Sequence, residues 1–276
     1  MYRMARLLFA AAVLSFGLGQ TALAADLPAR APVYKAPATA AAYNWSGWYA
    51  GLNAGGAWGH SDASTATVFS PTGYFATTSV PAIAAAGQQT DNTVGFTAGG
   101  QLGYNWQWSS AVFGLEADLE YFRQKGSAFS TSLYPCCAPT AFTINSSVTT
   151  DWLFTLRPRL GWAANNWLFY VTGGLAVTEL KGDFTFTDTF ATALETASVS
   201  KTKAGWTVGG GVEAGLWSNW TAKLEYLYVD FGSVGTTSTN LTAFTPPIAF
   251  PTNVFTHSVD LRSNIVRAGL NYKFAP

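Results

Sequence analysis

Charged side chains at two-residue spacing are the most chemically suggestive residues in this sequence. Glu116, Asp118 and Glu120 alternate along one segment, and Arg157 and Arg159 along another. Glu213 stands in a third, Lys223 and Glu225 share a fourth, and Arg267 and Lys273 a fifth. Three alternating carboxylates could do acid/base work. Ion pairing is the better reading, because residues two apart share one face of a β-strand and buried charges are costly unless paired. The two histidines, His60 and His257, fall in or beside long polar connections. His257 and Ser258 beside Asp260 would supply the groups of a serine hydrolase. Three sequence neighbours rarely converge as a triad, so both histidines read as solvated loop residues. Cys136 and Cys137 are adjacent. They could close a disulfide ring that braces a loop, or each could pair with another chain; metal binding would need a third ligand that the neighbourhood lacks. No metal-ligand spacing or cofactor motif is present, so no catalytic, metal or cofactor residue is expected. The glycines lie in extended segments and open no helix, which argues against a phosphate loop.

The elements that must carry these charges are strands. In the last one, Val266, Ala268, Leu270, Tyr272 and Phe274 fall on one face, and Arg267, Gly269, Asn271 and Lys273 on the other. That is the side-chain period of a β-strand. Eight such segments alternate: Ser46 to Trp58, Thr93 to Trp108, Ala111 to Gln124, Thr150 to Ala163, Trp167 to Leu180, Ala204 to Leu216, Trp220 to Phe231, and the last. Short connections at Ser109-Ser110, Ala163 to Asn166 and Trp217 to Asn219 take turns with long ones. The long ones, His60 to Asn92, Lys125 to Thr149, Lys181 to Lys203 and Gly232 to Ser258, are rich in Ser, Thr, Ala and Pro and read as loops. One irregularity stands out: Val259 and Leu261 are out of phase with Val266, which predicts a bulge near Arg262 to Asn264 or a later strand start.

The chain begins as an exported protein. Residues 1–24 read as a signal peptide, with basic Arg3 and Arg6, an apolar run from Leu7 to Leu18 and a cleavage site at Ala22-Leu23-Ala24. Residues 25–44, rich in Ala and Pro, read as a flexible periplasmic lead-in, and residues 45–276 as the folded domain. The exported part carries a net charge of −2, which gives no reason to expect nucleic acid. The whole chain is 49% hydrophobic, 15% aromatic and only 11% charged, against about 25% charged in soluble domains. No apolar run long enough for a spanning helix remains after the leader. Such a chain can cross a membrane only as a closed β-barrel, because every backbone polar group must then be satisfied internally. The expected fold is therefore all-β: an eight-stranded antiparallel up-and-down transmembrane barrel with short periplasmic turns and four long outer loops. Trp48, Trp106, Trp108, Phe113, Trp162, Trp167, Trp220, Tyr272 and Phe274 cluster beside the short turns as an aromatic girdle. Tyr121, Trp152, Trp206, Tyr226 and Tyr228 form a second belt near the long connections.

In that barrel the charges point inward. Levelling the aromatic ends of neighbouring strands gives a trial register. Phe113 opposite Trp162 sets Glu116 against Arg159 and Asp118 against Arg157. Trp220 opposite Leu216 sets Lys223 against Glu213, and Trp220 opposite Tyr272 sets Glu225 against Arg267. Eight strands leave a lumen just wide enough for side chains to fill, so the charges are expected to plug it. Gly51, Gly55, Gly99, Gly103, Gly209 and Gly211 would relieve crowding.

The segments ADLPARAPVYKAP, NWSGWYAGLNAGGAWG, GFTAGGQLGYNWQW, VFGLEADLEY and IVRAGLNYKF resemble the small outer-membrane immunogenic proteins of alphaproteobacteria, the porin-like surface antigens of Brucella and the rhizobia. The resemblance implies an outer-membrane location, antigenic loops, and contact with outer-membrane lipid, lipopolysaccharide and the barrel-assembly machinery. The leading expectation is a structural, surface-displayed barrel. A narrow porin-like channel is the first alternative. Binding of haemin or a host surface through the loops is the second.

Overall fold

The computed structural model describes residues 43–274. The leader, the lead-in as far as residue 42 and the last two residues lie outside the described residues. Eleven elements follow in chain order: β1 Gly47–Thr67, α1 Ser79–Ala86, β2 Gln89–Trp108, β3 Ala111–Leu133, β4 Ala141–Ala164, β5 Trp167–Asp188, β6 Leu194–Gly215, β7 Trp220–Ser238, β8 Thr242–Ala243, β9 Ile248–Ala249 and β10 Phe255–Lys273. Eight long antiparallel strands pair in the order β5-β4-β3-β2-β1-β10-β7-β6, and β6 pairs back to β5, so the ring closes. Closure leaves no free edge in the lipid, where an unpaired N–H or C=O would cost several kcal/mol. The short turns sit at one end, each with a left-handed residue: Ser109 (φ 56°), Asn165 (φ 54°) and Ser218 (φ 50°).

The strands run 19 to 24 residues, whereas about 9 to 11 suffice to span a bilayer. Of the four Ser/Thr-rich stretches expected to be loops, Lys125 to Thr149 and Lys181 to Lys203 are mostly strand, and strand also takes both ends of the other two. Only residues 68–88, 134–140, 189–193 and 239–254 connect strands at that end, and the first and last carry α1 and the β8–β9 hairpin. The barrel therefore continues beyond the membrane as a turret.

Along each strand the inward and outward phases hold while their polarity inverts. On β5, outward Trp167, Phe169, Val171, Leu175 and Val177 give way to Glu179, Lys181 and Asp183, while Phe184 and Phe186 are buried inside. On β10, Val259, Leu261, Ile265 and Arg267 all point inward and are buried. That explains the irregularity in the sequence. Val259 and Leu261 share Arg267's phase, not Val266's, and the inward phase of β10 needs no bulge. The register does shift between Asp260 and Arg262. The extra residue is on β7, at Phe231-Gly232, where Gly232 takes the left-handed φ of +64° that glycine adopts without steric cost.

Candidate functional site

The interior is the candidate site, and it has two storeys. In the spanning half, five carboxylates meet four cations, all buried: Glu116, Asp118, Glu120, Glu213 and Glu225 with Arg157, Arg159, Lys223 and Arg267. Arg157 donates to Glu116 Oε1 at 2.8 Å, Asp118 Oδ2 at 2.8 Å and Glu225 Oε1 at 3.1 Å. Arg267 donates from Nε to Glu225 Oε2 at 2.8 Å and from Nη2 to Asp118 Oδ1 at 2.8 Å, and it also pairs with Glu120. Lys223 Nζ lies 2.9 Å from Glu116 Oε1. Arg159 reaches Glu213 Oε2 at 2.7 Å and the Tyr49 hydroxyl at 2.9 Å. Neutral donors add further bonds: Tyr49 to Glu116, Tyr170 to Glu225, Thr155 to Asp118 and Asn271 to Glu213. Gly103 and Gly211 leave the space that the Tyr49 and Tyr170 rings occupy. A cluster so densely bonded, with Arg159 Nε left without a hydrogen-bond partner, is worth little as net stability but is costly to break.

The structure brings three of the four trial pairs into contact, Glu116 with Arg159, Asp118 with Arg157 and Glu225 with Arg267, by a different route in places. Phe113 faces Leu160, not Trp162, so Glu116 faces Arg157 in register and β3 sits two residues from the trial alignment. The long guanidinium side chains span that offset: Arg159 still reaches Glu116 at 3.4 Å and Arg157 reaches Asp118. Glu213 does face Lys223, and Glu225 faces Arg267. Lys223, however, turns from Glu213 to Glu116, because Arg159, Thr221 and Asn271 already occupy Glu213. Lys273, in the same inward phase, sits at the mouth over the Tyr43 ring at 5.1 Å.

Outside, the girdle residues Trp48, Trp106, Trp108, Phe113, Trp162, Trp167, Tyr272 and Phe274 are exposed, and Trp220 is half-buried against Tyr272. Tyr121, Trp206 and Tyr226 are exposed at the upper level, where Trp58 joins them. Two aromatics escaped the sequence reading as site residues: Trp58, and Trp45, which is buried in the short-turn mouth against Val112, Leu168 and Tyr170. The signal for Trp58 is its place at the far end of the first strand's outward phase; Trp45 had none, since it precedes that strand.

The upper storey is largely apolar. Phe122, Leu153, Leu180, Phe184, Leu227, Val229, Phe231, Val259 and Ile265 form one cluster. Above it, Phe75, Ile83 of α1, Tyr134, Phe142, Ile144, Phe186, Leu241 and Phe255 close the outer mouth. Asp188 ties this cap together. Its Oδ2 accepts from the hydroxyls of Tyr74 and Tyr134 (the latter at 3.0 Å), and its Oδ1 accepts Ala193 N at 2.8 Å. Burial first, and then the neighbouring Asp188 carboxylate, hold both phenols well above their ordinary value of 10. Cys136 and Cys137 are joined as a disulfide in the 134–140 turn, with Cys137 packed against the cap cluster.

His257 is not a loop residue. It lies inside β10, stacked between Phe184 and Phe255, with Nδ1 3.0 Å from Thr65 Oγ1 and Nε2 3.2 Å from Glu195 Oε1. Ser258 points outward to Ser64, and Asp260 outward to Arg262. Alternation along one strand thus separates the three groups of the imagined triad. His60 is exposed on β1, two residues beyond Trp58.

Comparison with known proteins agrees with this architecture. The family of the outer membrane protein beta-barrel domain matches residues 29–274. The 31 kDa outer-membrane immunogenic protein of Brucella melitensis is 33% identical over 256 residues, covering 92% of this chain and 94% of that protein. The 25 kDa outer-membrane immunogenic protein of Brucella abortus is 27% identical over 270 residues, covering 96% and 95%. The 22 kDa outer membrane protein of Rhizobium leguminosarum bv. viciae is 37% identical over 144 residues, covering 51% and 56%. These names describe outer-membrane antigens and proteins, not enzymes.

Proposed function

The chain belongs to the outer membrane protein β-barrel family, and from that premise we propose that it is a closed structural barrel of the outer membrane that holds a rigid turret outside the cell. The observation that carries the reading is the sealed interior: Arg157, Phe186 and Phe255 are each 0% exposed, and they sit in the spanning half and at the outer mouth. Side chains bonded to each other across the lumen leave no aqueous path for a solute. The immunogenic relatives fit a turret that meets the outside world. Haemin binding has less support, because His257 is enclosed and leaves His60 alone at the surface. Conductance of the refolded protein in planar bilayers tests the proposal. The expected result is no unitary steps above leak. Steps that change in size with Arg157→Ala would replace the closed barrel by a narrow channel.

A further inference from the structure

The outer connections carry no charge of their own. Residues 68–88, 134–140, 189–193 and 239–254 contain no Asp, Glu, Lys, Arg or His. Three of the four reach Asp188, the last residue of β5. Neutral donors hold this carboxylate: the hydroxyls of Tyr74 and Tyr134, and the backbone N–H groups of Ala191 and Ala193. No lysine, arginine or histidine pairs with it among the described residues. Hydrogen bonds therefore fix its negative charge in place and leave it uncancelled.

The two tyrosines that grip Asp188 also line a cavity of about 160 Å³. Phe75, Phe190 and the Cys136–Cys137 disulfide complete its apolar walls. The Tyr74 ring lies 5.2 Å from that of Phe75 and 6.2 Å from that of Phe190, centroid to centroid. Phe75 is buried, whereas Phe190 and Cys136 are exposed at the rim, so the cavity opens outward. An apolar cavity of about 150 Å³ takes a molecule of benzene, so this one has room for a small group and for little more. Its chemistry selects the charge of that group. The lining holds no lysine, arginine or histidine to attract an anion. Aromatic faces attract cations, because the ring quadrupole is negative there. A phenol that donates to a carboxylate becomes more electron-rich still. A metal ion or a bare ammonium would give up its water for walls that offer few oxygens. A cation clothed in methyl groups loses little hydration on entry.

We propose that this cavity binds a quaternary ammonium group of trimethylammonium size, the charged end of choline and its derivatives. Tyr74, Tyr134 and Phe190 supply the aromatic faces, and Asp188 behind the two phenols supplies the uncancelled negative field.

The test uses the full exported chain refolded in maltoside micelles, which carry no ammonium group of their own. Saturation-transfer NMR on the methyl protons of choline reads binding, with empty micelles subtracted. Choline should bind. Its neutral isostere 3,3-dimethylbutan-1-ol, and ethanolamine, which keeps a charge but lacks the methyl groups, should each bind about tenfold more weakly. Phe190 is exposed, so its replacement leaves the cap folded. Phe190→Ala should weaken choline about fivefold, and Phe190→Trp should bind it at least as well. Asp188→Asn should also weaken it about fivefold, with protease resistance of residues 68–88 showing that the cap still stands; the Phe190 pair decides if it does not. No transfer to choline, equal binding of the neutral isostere or of ethanolamine, or wild-type binding by Phe190→Ala overturns the proposal. Phosphocholine competing with choline would extend the site to a lipid headgroup, and its failure to compete would confine the site to the free cation; both keep the quaternary ammonium group as the occupant.

Discussion

Below Trp58 and Trp206 the inward side chains include Glu116, Arg157, Glu225 and Arg267; above them, on the same strands and in the same phase, they are Phe122, Leu153, Phe231 and Val259. The difference follows from what lies outside. In the spanning half the outward phase faces lipid and must be apolar. Were the inward phase apolar too, each strand would become a continuous apolar run, approaching the signature of a spanning helix. Polar inward residues keep the strand alternating, and their charges find one another across a narrow lumen. In the turret the outward phase faces water, so charged side chains move outside and the interior becomes a largely apolar core that still encloses a few polar groups, among them Thr65, Glu195 and His257. A single strand thus obeys two opposite rules without changing phase.

The largest expected effect lies in the charged half. Arg267→Met leaves Asp118, Glu120 and Glu225 short of a cation. It should cost roughly 3–5 kcal/mol, the penalty for stranding buried charge. Urea unfolding from vesicles, followed by tryptophan fluorescence, would read it. A loss under about 1 kcal/mol would mean that water reaches the network and that the spanning interior is not sealed. Next comes the apolar half. Phe186 packs between Phe75, Phe142 and Phe255 with ring centroids 5.3 to 5.9 Å away. Phe186→Ala should cost about 3 kcal/mol, confined to the turret. Protease would then cut within residues 68–88 while the urea midpoint of the spanning half stays put. A fall in that midpoint as large as for Arg267→Met would make the two storeys one cooperative unit.

The two halves were unequally legible in the sequence. In the spanning half, lipid outside and charge inside give a high-contrast alternation, so strand existence, face and most of the charged cluster follow from residues such as Glu116, Asp118 and Glu120. The offset of β3 against β4 did not follow, because aromatic ends vary in height and Arg157 and Arg159 can span two residues of error. In the turret the contrast drops, because Ser, Thr and Ala serve on both faces. Asp183-Phe184-Thr185-Phe186-Thr187 alternates plainly, yet its composition resembles a loop, and its apolar phase is the opposite of that in the membrane. His257 was misplaced for the same reason: Thr256 and Ser258 beside it look solvated, and only the phase shared with Val259 and Arg267 puts it inside. Trp45 lay beyond reach, since nothing local says that the chain turns into the mouth before β1.

The smallest effect tests whether the outer cap is held by apolar contact alone or also by the carboxylate that two of its tyrosines share. Tyr74 and Tyr134 both donate to Asp188, which belongs to β5, so three connections meet at one acceptor. Each phenol titrates above 10 in the folded protein, through burial first and the Asp188 carboxylate next. A group raised in this way contributes stability fully present below its unfolded value near 10 and lost as pH climbs through the folded one. The cap should therefore be insensitive to pH from neutrality to about 10 and loosen above it. Protease access to residues 68–88 at rising pH would show the onset. Tyr74→Phe with Tyr134→Phe removes both ionisations, so the alkaline loosening should flatten although the neutral-pH cap is slightly weaker. An identical alkaline response in the double variant would move the cause away from the tyrosine–aspartate junction, leaving the cap to its apolar packing and to bonds such as those Asn253 makes with Tyr74 N and Val68 O.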